Sequence, residues 1–280
     1  MQIEFYYDIV CPFAYIASTR VEEAVGRHNG IVIWKPVLLG GIYDLIKAEQ
    51  GKAGSASDVM PVNKKIAFSK DLERTIKRYK IDLNFHKNHP VKSLNAQRLL
   101  TYFKNQNKRK ILSHKFFEAY WVKNLEVDKF EVLFKIVHEC FGDFDKEDFL
   151  KTVSLLTITH LSFCIVLMAP GVPYFVIKSN EGGLSCFWGQ DRIHFVESAI
   201  TGRSIPQDRL YITKPLKFPQ RIKFFFDFSS PWAFVGYMQL KRLKVEFGNL
   251  LEIECFPILL GKLFQNIGTP NMPALAMTSQ

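Results

Sequence analysis

No two of the five cysteines in this 280-residue chain stand close enough to form a CxxC pair; they fall at Cys11, Cys140, Cys164, Cys186 and Cys255. Their odd number and wide scatter exclude a disulfide scaffold and a zinc-ligand pattern, and fit a reducing compartment. Acids are also scarce, with 27 Asp and Glu against 37 Lys and Arg, for a net charge of +10. A basic excess suits nucleic acid, an acidic membrane or a small anionic ligand, and does not choose among them. The basic run Lys104 to Lys110 (KNQNKRK) has little aromatic interleaving and reads as a solvated helix junction, so no nucleic-acid partner is expected. No basic region precedes an apolar block at the N-terminus, so no secretory or transit leader is read. Val153 to Ala169 (VSLLTITHLSFCIVLMA) is apolar, but it is at the short limit for a span and carries His160 and several hydroxyls. It reads as a buried or irregular segment, and no membrane association is expected.

What the chain does have is 48% hydrophobic residues, 23% charged residues and 25 phenylalanines, the profile of a globular protein with an aromatic core. It also has an internal repeat. IEFYYDIVCPFAY at 3–15 reads against IKFFFDFSSPWAF at 222–234, and PVLLG at 36–40 reads against PILLG at 257–261. The spacing between the two motifs agrees to within two residues, which implies a duplication. The second copy ends some sixty residues after it begins, without the later elements of the first.

Periodicity predicts a strand at about 2–7, a helix at about 12–28 with Pro12 in its first turn, and a strand at about 31–36, together a βαβ unit. Amphipathic runs near 62–80, 93–106, 109–123 and 127–140 predict a helical middle. PYFVI at 173–177 and Leu184 to Phe187 then read as a hairpin turning through Asn180-Glu181-Gly182-Gly183, followed by a last helix from Gln190 to Ile200. The order βαβ, helices, ββα predicts an α/β, thioredoxin-like fold with an all-helical insertion at about 60–150, then a partial second βαβ unit. The expected boundaries are a first domain at 1–205, a linker at 206–220 and the truncated copy at 221–280.

Three places carry chemistry. Cys11 lies at a strand-to-helix turn, where helix-end N–H groups would stabilise a thiolate, so a depressed thiol pKa is expected; the alternative is a buried small hydrophobe. Ala14 stands where a second cysteine would close an intramolecular redox cycle, so that cycle is excluded. Pro173, after Val172, opens a strand where a missing N–H does least harm. Asp191 and Arg192 stand side by side at the start of the last helix, where they suit a zwitterionic head group or simply form an acidic first turn.

DIVCPFAY, PVLLGG, Asn63-Lys64 ahead of Asp71-Leu72, GVPYFVI and FWGQDR together resemble the DsbA-like family of 2-hydroxychromene-2-carboxylate isomerases and kappa-class glutathione transferases. The resemblance covers the first copy almost entirely. It implies a cis peptide before Pro173, with Val172 and Pro173 pairing to the cysteinyl backbone of glutathione. It also implies Asp191 and Arg192 at the γ-glutamyl end and Lys64 near the substrate or the glycine carboxylate. Cys11 stands where the family usually has serine, and the second copy keeps that serine as Ser230, expected to be catalytically silent because the proline loop and acid–base pair have no counterparts after it.

The reading is therefore a glutathione-dependent transferase or isomerase, with glutathione as cosubstrate, a small electrophilic or aromatic substrate, no metal, a homodimeric state and a cytoplasmic location, mitochondrion and peroxisome being the alternatives. Two other classes stand beside it: a single-cysteine thiol–disulfide oxidoreductase using Cys11, and a non-catalytic remnant or binding protein.

Overall fold

A computed structural model describes residues 1–50, 54–152, 169–178, 182–205 and 218–268. The apolar stretch 153–168, most of the linker at 206–217 and the first two residues of the expected hairpin turn lie outside the described residues. The chain divides into two compact units, one of Met1–Met60 and Ser69–Arg209, the other of Pro61–Phe68 and Leu210–Gln280.

The first unit is built on strand β1 (Gln2–Tyr7), which has a neighbour on each side. It pairs in parallel with β2 (Ile31–Pro36), Ile3 opposite Val32 and Phe5 opposite Trp34. On its other side it pairs antiparallel with β3 (Tyr174–Lys178), Ile3 opposite Ile177 and Phe5 opposite Phe175. Strand β4 (Leu184–Trp188) completes the order β2-β1-β3-β4. A central strand covered on both faces loses its polar alternation, and Phe5, Tyr6 and Tyr7 are all buried in succession.

The helix expected over 12–28 is two helices, α1 (Pro12–Ser18) and α2 (Val21–Gly26). The break follows from Ser18 and Thr19, whose hydroxyls donate to the carbonyls of Tyr15 (2.7 Å) and Ile16 (2.9 Å) and compete with the helical ladder. Gly30 returns the chain to β2 where only glycine fits, because a Cβ there would stand 2.6 Å from a Val25 methyl.

A short helix absent from the sequence reading, α3 (Leu39–Leu45), follows β2. The helical middle comprises α4 (Val62–Tyr79), α5 (Leu94–Tyr102), α6 (Gln106–Trp121), α7 (Phe130–Phe141) and α8 (Lys146–Thr152), the last also unread. The final element begins as a 3-10 turn at Gln190–Arg192 and becomes helix α9 (Ile193–Thr201), so the helix proper starts three residues later than expected.

The phenylalanines find their use in the core. Phe5 stacks on Tyr7 (5.2 Å) and Phe175 (5.4 Å), and Trp34 meets both Phe5 and Tyr7 edge-on. Tyr7 in turn contacts Phe117 of α6 and bonds through its hydroxyl to Ser113. Arg109, also on α6, is buried because its guanidinium donates to the carbonyls of Trp34, Leu100, Thr101 and Phe103, which caps the end of α5.

Buried Asp8 ties these layers together. Its Oδ1 accepts from the Val10 N–H (3.2 Å) and Gln97 Nε2 (2.8 Å), and its Oδ2 accepts from the Leu39 N–H (2.8 Å) and Ser93 Oγ (2.9 Å). One carboxylate thus fixes the turn after β1, the start of α3 and the start of α5.

In the second unit, β5 (Gln220–Phe226) pairs in parallel with β6 (Leu251–Pro257), with α10 (Pro231–Phe247) between them and α11 (Leu260–Ile267) after. Hydrogen bonds at its first turn match those of the first unit. The Ser230 N–H donates to the Asp227 carbonyl as Cys11 does to that of Asp8, both at 3.1 Å. The Leu260 N–H donates to Asp227 Oδ2 (2.7 Å), as that of Leu39 does to Asp8 Oδ2. No helix among the described residues is long and apolar enough to cross a membrane.

Asp8→Asn puts an amide NH2 against two donors and is expected to cost about 1–3 kcal/mol of unfolding free energy, read by urea denaturation. Burial raises the Asp8 carboxyl above 3.8, and the four donors pull the other way. A carboxyl raised in the folded state contributes fully below its unfolded value and loses that contribution as pH rises through the folded one. The margin of wild type over the Asn variant is therefore expected to shrink from pH 4 towards neutrality.

Candidate active site

Cys11 is the N-cap of α1, with no side-chain capping bond, and its N–H is held by the Asp8 carbonyl. Its thiol donates to the Val172 carbonyl at 3.4 Å. The two are 161 residues apart, and β1 and β3 bring them together because the turn after β1 and the loop before β3 leave the sheet at the same end. The Val172–Pro173 peptide is cis, as the family resemblance implies. Val172 and Cys11 are each only 5% exposed.

That burial corrects one expectation. The Cys11 thiol is not depressed; burial pushes it up to about 12, with the Asp8 charge adding and the backbone N–H groups of Ala14 and Phe13 opposing. A seven-residue helix has too weak a terminus to offset the lost hydration of a thiolate.

Asp191 and Arg192 pair with each other at 2.9 Å, both side chains partly exposed. They follow the cis-proline loop closely, since the Gly189 N–H donates to the Pro173 carbonyl at 3.0 Å. Gly189 has φ +110, and a Cβ there would stand 2.5 Å from Asp191 Oδ1, so this position requires glycine and sets where Asp191 sits. Cys11, Val172, Pro173, Asp191 and Arg192 thus share the loop end of the sheet. Lys64 is exposed on α4, in the segment Pro61–Phe68 that clusters with the second unit. In the second unit Ser230 caps α10, its Oγ accepting from the Ala233 N–H at 3.3 Å.

The sequence reading missed two neighbours of this turn. Trp121 of α6 donates its indole N–H to the Ile9 carbonyl at 2.8 Å and carries the ring of His89 at 5.2 Å. Tyr43 of α3 is half-buried, and burial together with the Cys11 and Asp8 charges pushes its phenol up to about 12. The only sequence signal for Tyr43 was its place four residues after Leu39 in PVLLGGIYDL. A separate cavity of about 620 Å³, lined by Tyr15, Arg20, Tyr79, Asp82 and Ile193 among others, includes none of the predicted site residues. Among the described residues, no three His, Cys, Asp or Glu side chains are grouped to hold a metal ion.

Residues 2–154 match the sequence model of the DSBA-like thioredoxin domain. The chain belongs to that family. It is 23% identical over 223 residues to glutathione S-transferase kappa 1 of Caenorhabditis elegans, covering 75% of this chain and 95% of that one. Its fold is similar to that of 2-hydroxychromene-2-carboxylate isomerase, with a TM-score of 0.59 at 22% identity over 72% of this chain and 95% of the other. The structural likeness bears on the fold, and the matched family segment ends before the cis-proline loop.

Within this DSBA-like site the buried thiol should be slow to react. At neutral pH, iodoacetamide labelling with peptide mapping is expected to modify the exposed Cys186 and Cys255 roughly tenfold or more faster than Cys11. Equal rates would show that Cys11 is ionised and open.

Proposed function

We propose that the first unit is a glutathione-dependent transferase or isomerase acting on a small electrophile. The observation that carries this reading is the Cys11 thiol lying against the Val172 carbonyl beside cis-Pro173, which sets a donor thiol at the cis-proline loop. The kappa-class relative and the family resemblance support glutathione as the peptide. Val172 and Pro173 hold its cysteinyl backbone, Asp191 takes the γ-glutamyl ammonium, and Arg192 lies beside it.

A thiol that stays protonated suits a donor better than a nucleophile. Cys11 then does what a serine hydroxyl would do at this position, donating to the glutathione sulfur once that sulfur has lost its proton to solvent. The sulfur lone pair forms a C–S bond to the electrophile while the π electrons move onto the substrate. Transfer ends with protonation of the adduct; isomerisation ends when the same C–S bond breaks after rotation about the carbon–carbon bond.

The second reading, Cys11 as the nucleophile of a thiol–disulfide oxidoreductase resolved by a second glutathione, needs a thiolate that burial opposes. The third reading, a non-catalytic remnant or binding protein, is favoured if glutathione does not bind. We also read residues 221–280 as a partial copy whose Ser230 is silent; its oxygen accepts the cap bond of α10, and the turn around it is open to solvent at Phe228 and Trp232.

Calorimetric titration with glutathione tests the reading. Binding to wild type is expected, and Asp191→Ala should weaken it by about 1–3 kcal/mol; no binding to wild type would overturn the proposal. Cys11→Ser is expected to keep transferase or isomerase turnover and to abolish any disulfide reduction. Loss of both activities would assign the thiol a nucleophilic role.

A further inference from the structure

The 3-10 turn Gln190–Arg192, which carries Asp191, is closed by a backbone bond from the Arg192 N–H to the Gly189 carbonyl at 3.2 Å. A turn of three residues does not fix its own place, and this one is held from outside on two sides. On one side the Gly189 N–H donates to the Pro173 carbonyl at 3.0 Å. On the other, Gln190 is buried and its Oε1 accepts from Arg20 Nη1 at 3.1 Å, the same nitrogen lying 3.5 Å from the Gln190 carbonyl. A buried amide needs such a partner. Arg20 is fixed in turn, its guanidinium carbon standing 3.6 Å from the centre of the Tyr79 ring at the end of α4. It leads into α2, just past the end of the helix that Cys11 caps. From this arrangement we infer that Arg20 is a positioning residue: through Gln190 it holds Asp191 where the γ-glutamyl ammonium binds, and so sets the preference of the site for a γ-glutamyl peptide. The inference rests on the glutathione reading above.

The side chain suits this task. A planar guanidinium donates from its edge while an aromatic ring covers its face, so Arg20 reaches Gln190 without leaving Tyr79. One side chain thereby ties the two ends of the site to one short body, Cys11 at the start of α1 and the Asp191 turn bonded just beyond its end. The second unit supplies an internal comparison. Arg20 stands at the break between α1 and α2, with φ −128 and ψ −29. The residue in register with it is Gln239, and there α10 runs unbroken from Pro231 to Phe247. Among its described residues the second unit has no counterpart of the β3–β4 hairpin or of the turn that follows it. The unit with the Asp191 turn has both the helix break and the arginine, and the unit without that turn has neither.

The test compares glutathione with its deaminated analogue, glutaryl-cysteinylglycine, which keeps every group except the γ-glutamyl ammonium. Both are titrated calorimetrically into the full chain, and wild type is expected to bind glutathione about tenfold more tightly than the analogue. Arg20→Met keeps an unbranched stem beside Tyr79 and removes the donors, and the ratio is expected to fall to about twofold. A merely structural loss would weaken both ligands alike and leave the ratio at its wild-type value. Gln190→Leu, which removes the acceptor and keeps Arg20, should lower the ratio in the same way. Asp191→Ala should abolish the preference, and adding Arg20→Met to it should lower the ratio no further, because Arg20 acts through Asp191. A wild-type ratio in either Arg20→Met or Gln190→Leu would overturn the role of Arg20 while leaving the glutathione site standing, as would equal binding of the two ligands by wild type. Failure of wild type to bind glutathione would overturn both.

Discussion

The first unit depends on a single buried carboxylate. Asp8 is the meeting point of the central strand, the turn that presents Cys11, the short helix that carries Tyr43 and the first turn of the helical layer. A carboxylate can accept on both oxygens at once, and four donors converging on it replace the water it has lost. No neutral side chain of that size offers four acceptor positions, which is the physical reason an acid sits at the end of an otherwise apolar strand. Asp227 in the second unit shows the same turn without its upper layer. It accepts from Ser229 and Leu260, stays partly open to solvent, and its carboxyl is held below the ordinary range by those donors. The identical local motif therefore has opposite electrostatics in the two settings, and what differs is burial.

Burial also decides the chemistry of Cys11. A helix terminus contributes about 0.3–1 kcal/mol to a nearby anion, less than the 1.36 kcal/mol of a single pKa unit, whereas complete desolvation is capable of moving a group by several units. The thiol at the start of α1 is thus governed by its burial, and the helix end is a minor influence. A protonated sulfur facing a carbonyl is a donor in waiting. On the proposed glutathione reading, its partner would be another sulfur that carries the charge, the role a serine hydroxyl would have.

The strands, the helical middle and the grouping of Cys11 with Val172 and Asp191 were legible in the sequence, because each rests on local periodicity or on a motif in a fixed order. What was not legible came from long-range packing. The break at Ser18-Thr19 arises from hydroxyls that the amphipathic pattern of 12–28 does not reveal. Helix α3 contains Gly40 and Gly41, poor helix formers, and exists because Asp8, 31 residues earlier, accepts the N–H that opens it. The raised Cys11 thiol comes from burial, which depends on tertiary packing that no local window includes. Lys64 followed from the resemblance alone, and its exposed position on α4 supplies no physical argument for the role.

The repeat clarifies why an active site needs more than its motif. In both units an aromatic pair lies along the first strand, Phe5 on Tyr7 and Phe224 on Phe226 (5.6 Å), and in both an aspartate closes the turn below the first helix. In the first unit the strand is flanked on both sides and its rings are sealed by Trp34, Phe117 and Phe175. Among the described residues of the second, Leu251 alone of the hydrophobic side chains is buried, while Phe228 and Trp232 at the turn are 91% and 76% exposed. An exposed turn leaves a hydroxyl such as that of Ser230 hydrated and committed to its helix cap, where it gains nothing from a charged ligand that water already solvates. Enclosure by β3, the cis-proline loop and the helical layer is what turns the same backbone geometry into a place where one sulfur's hydrogen bond can matter.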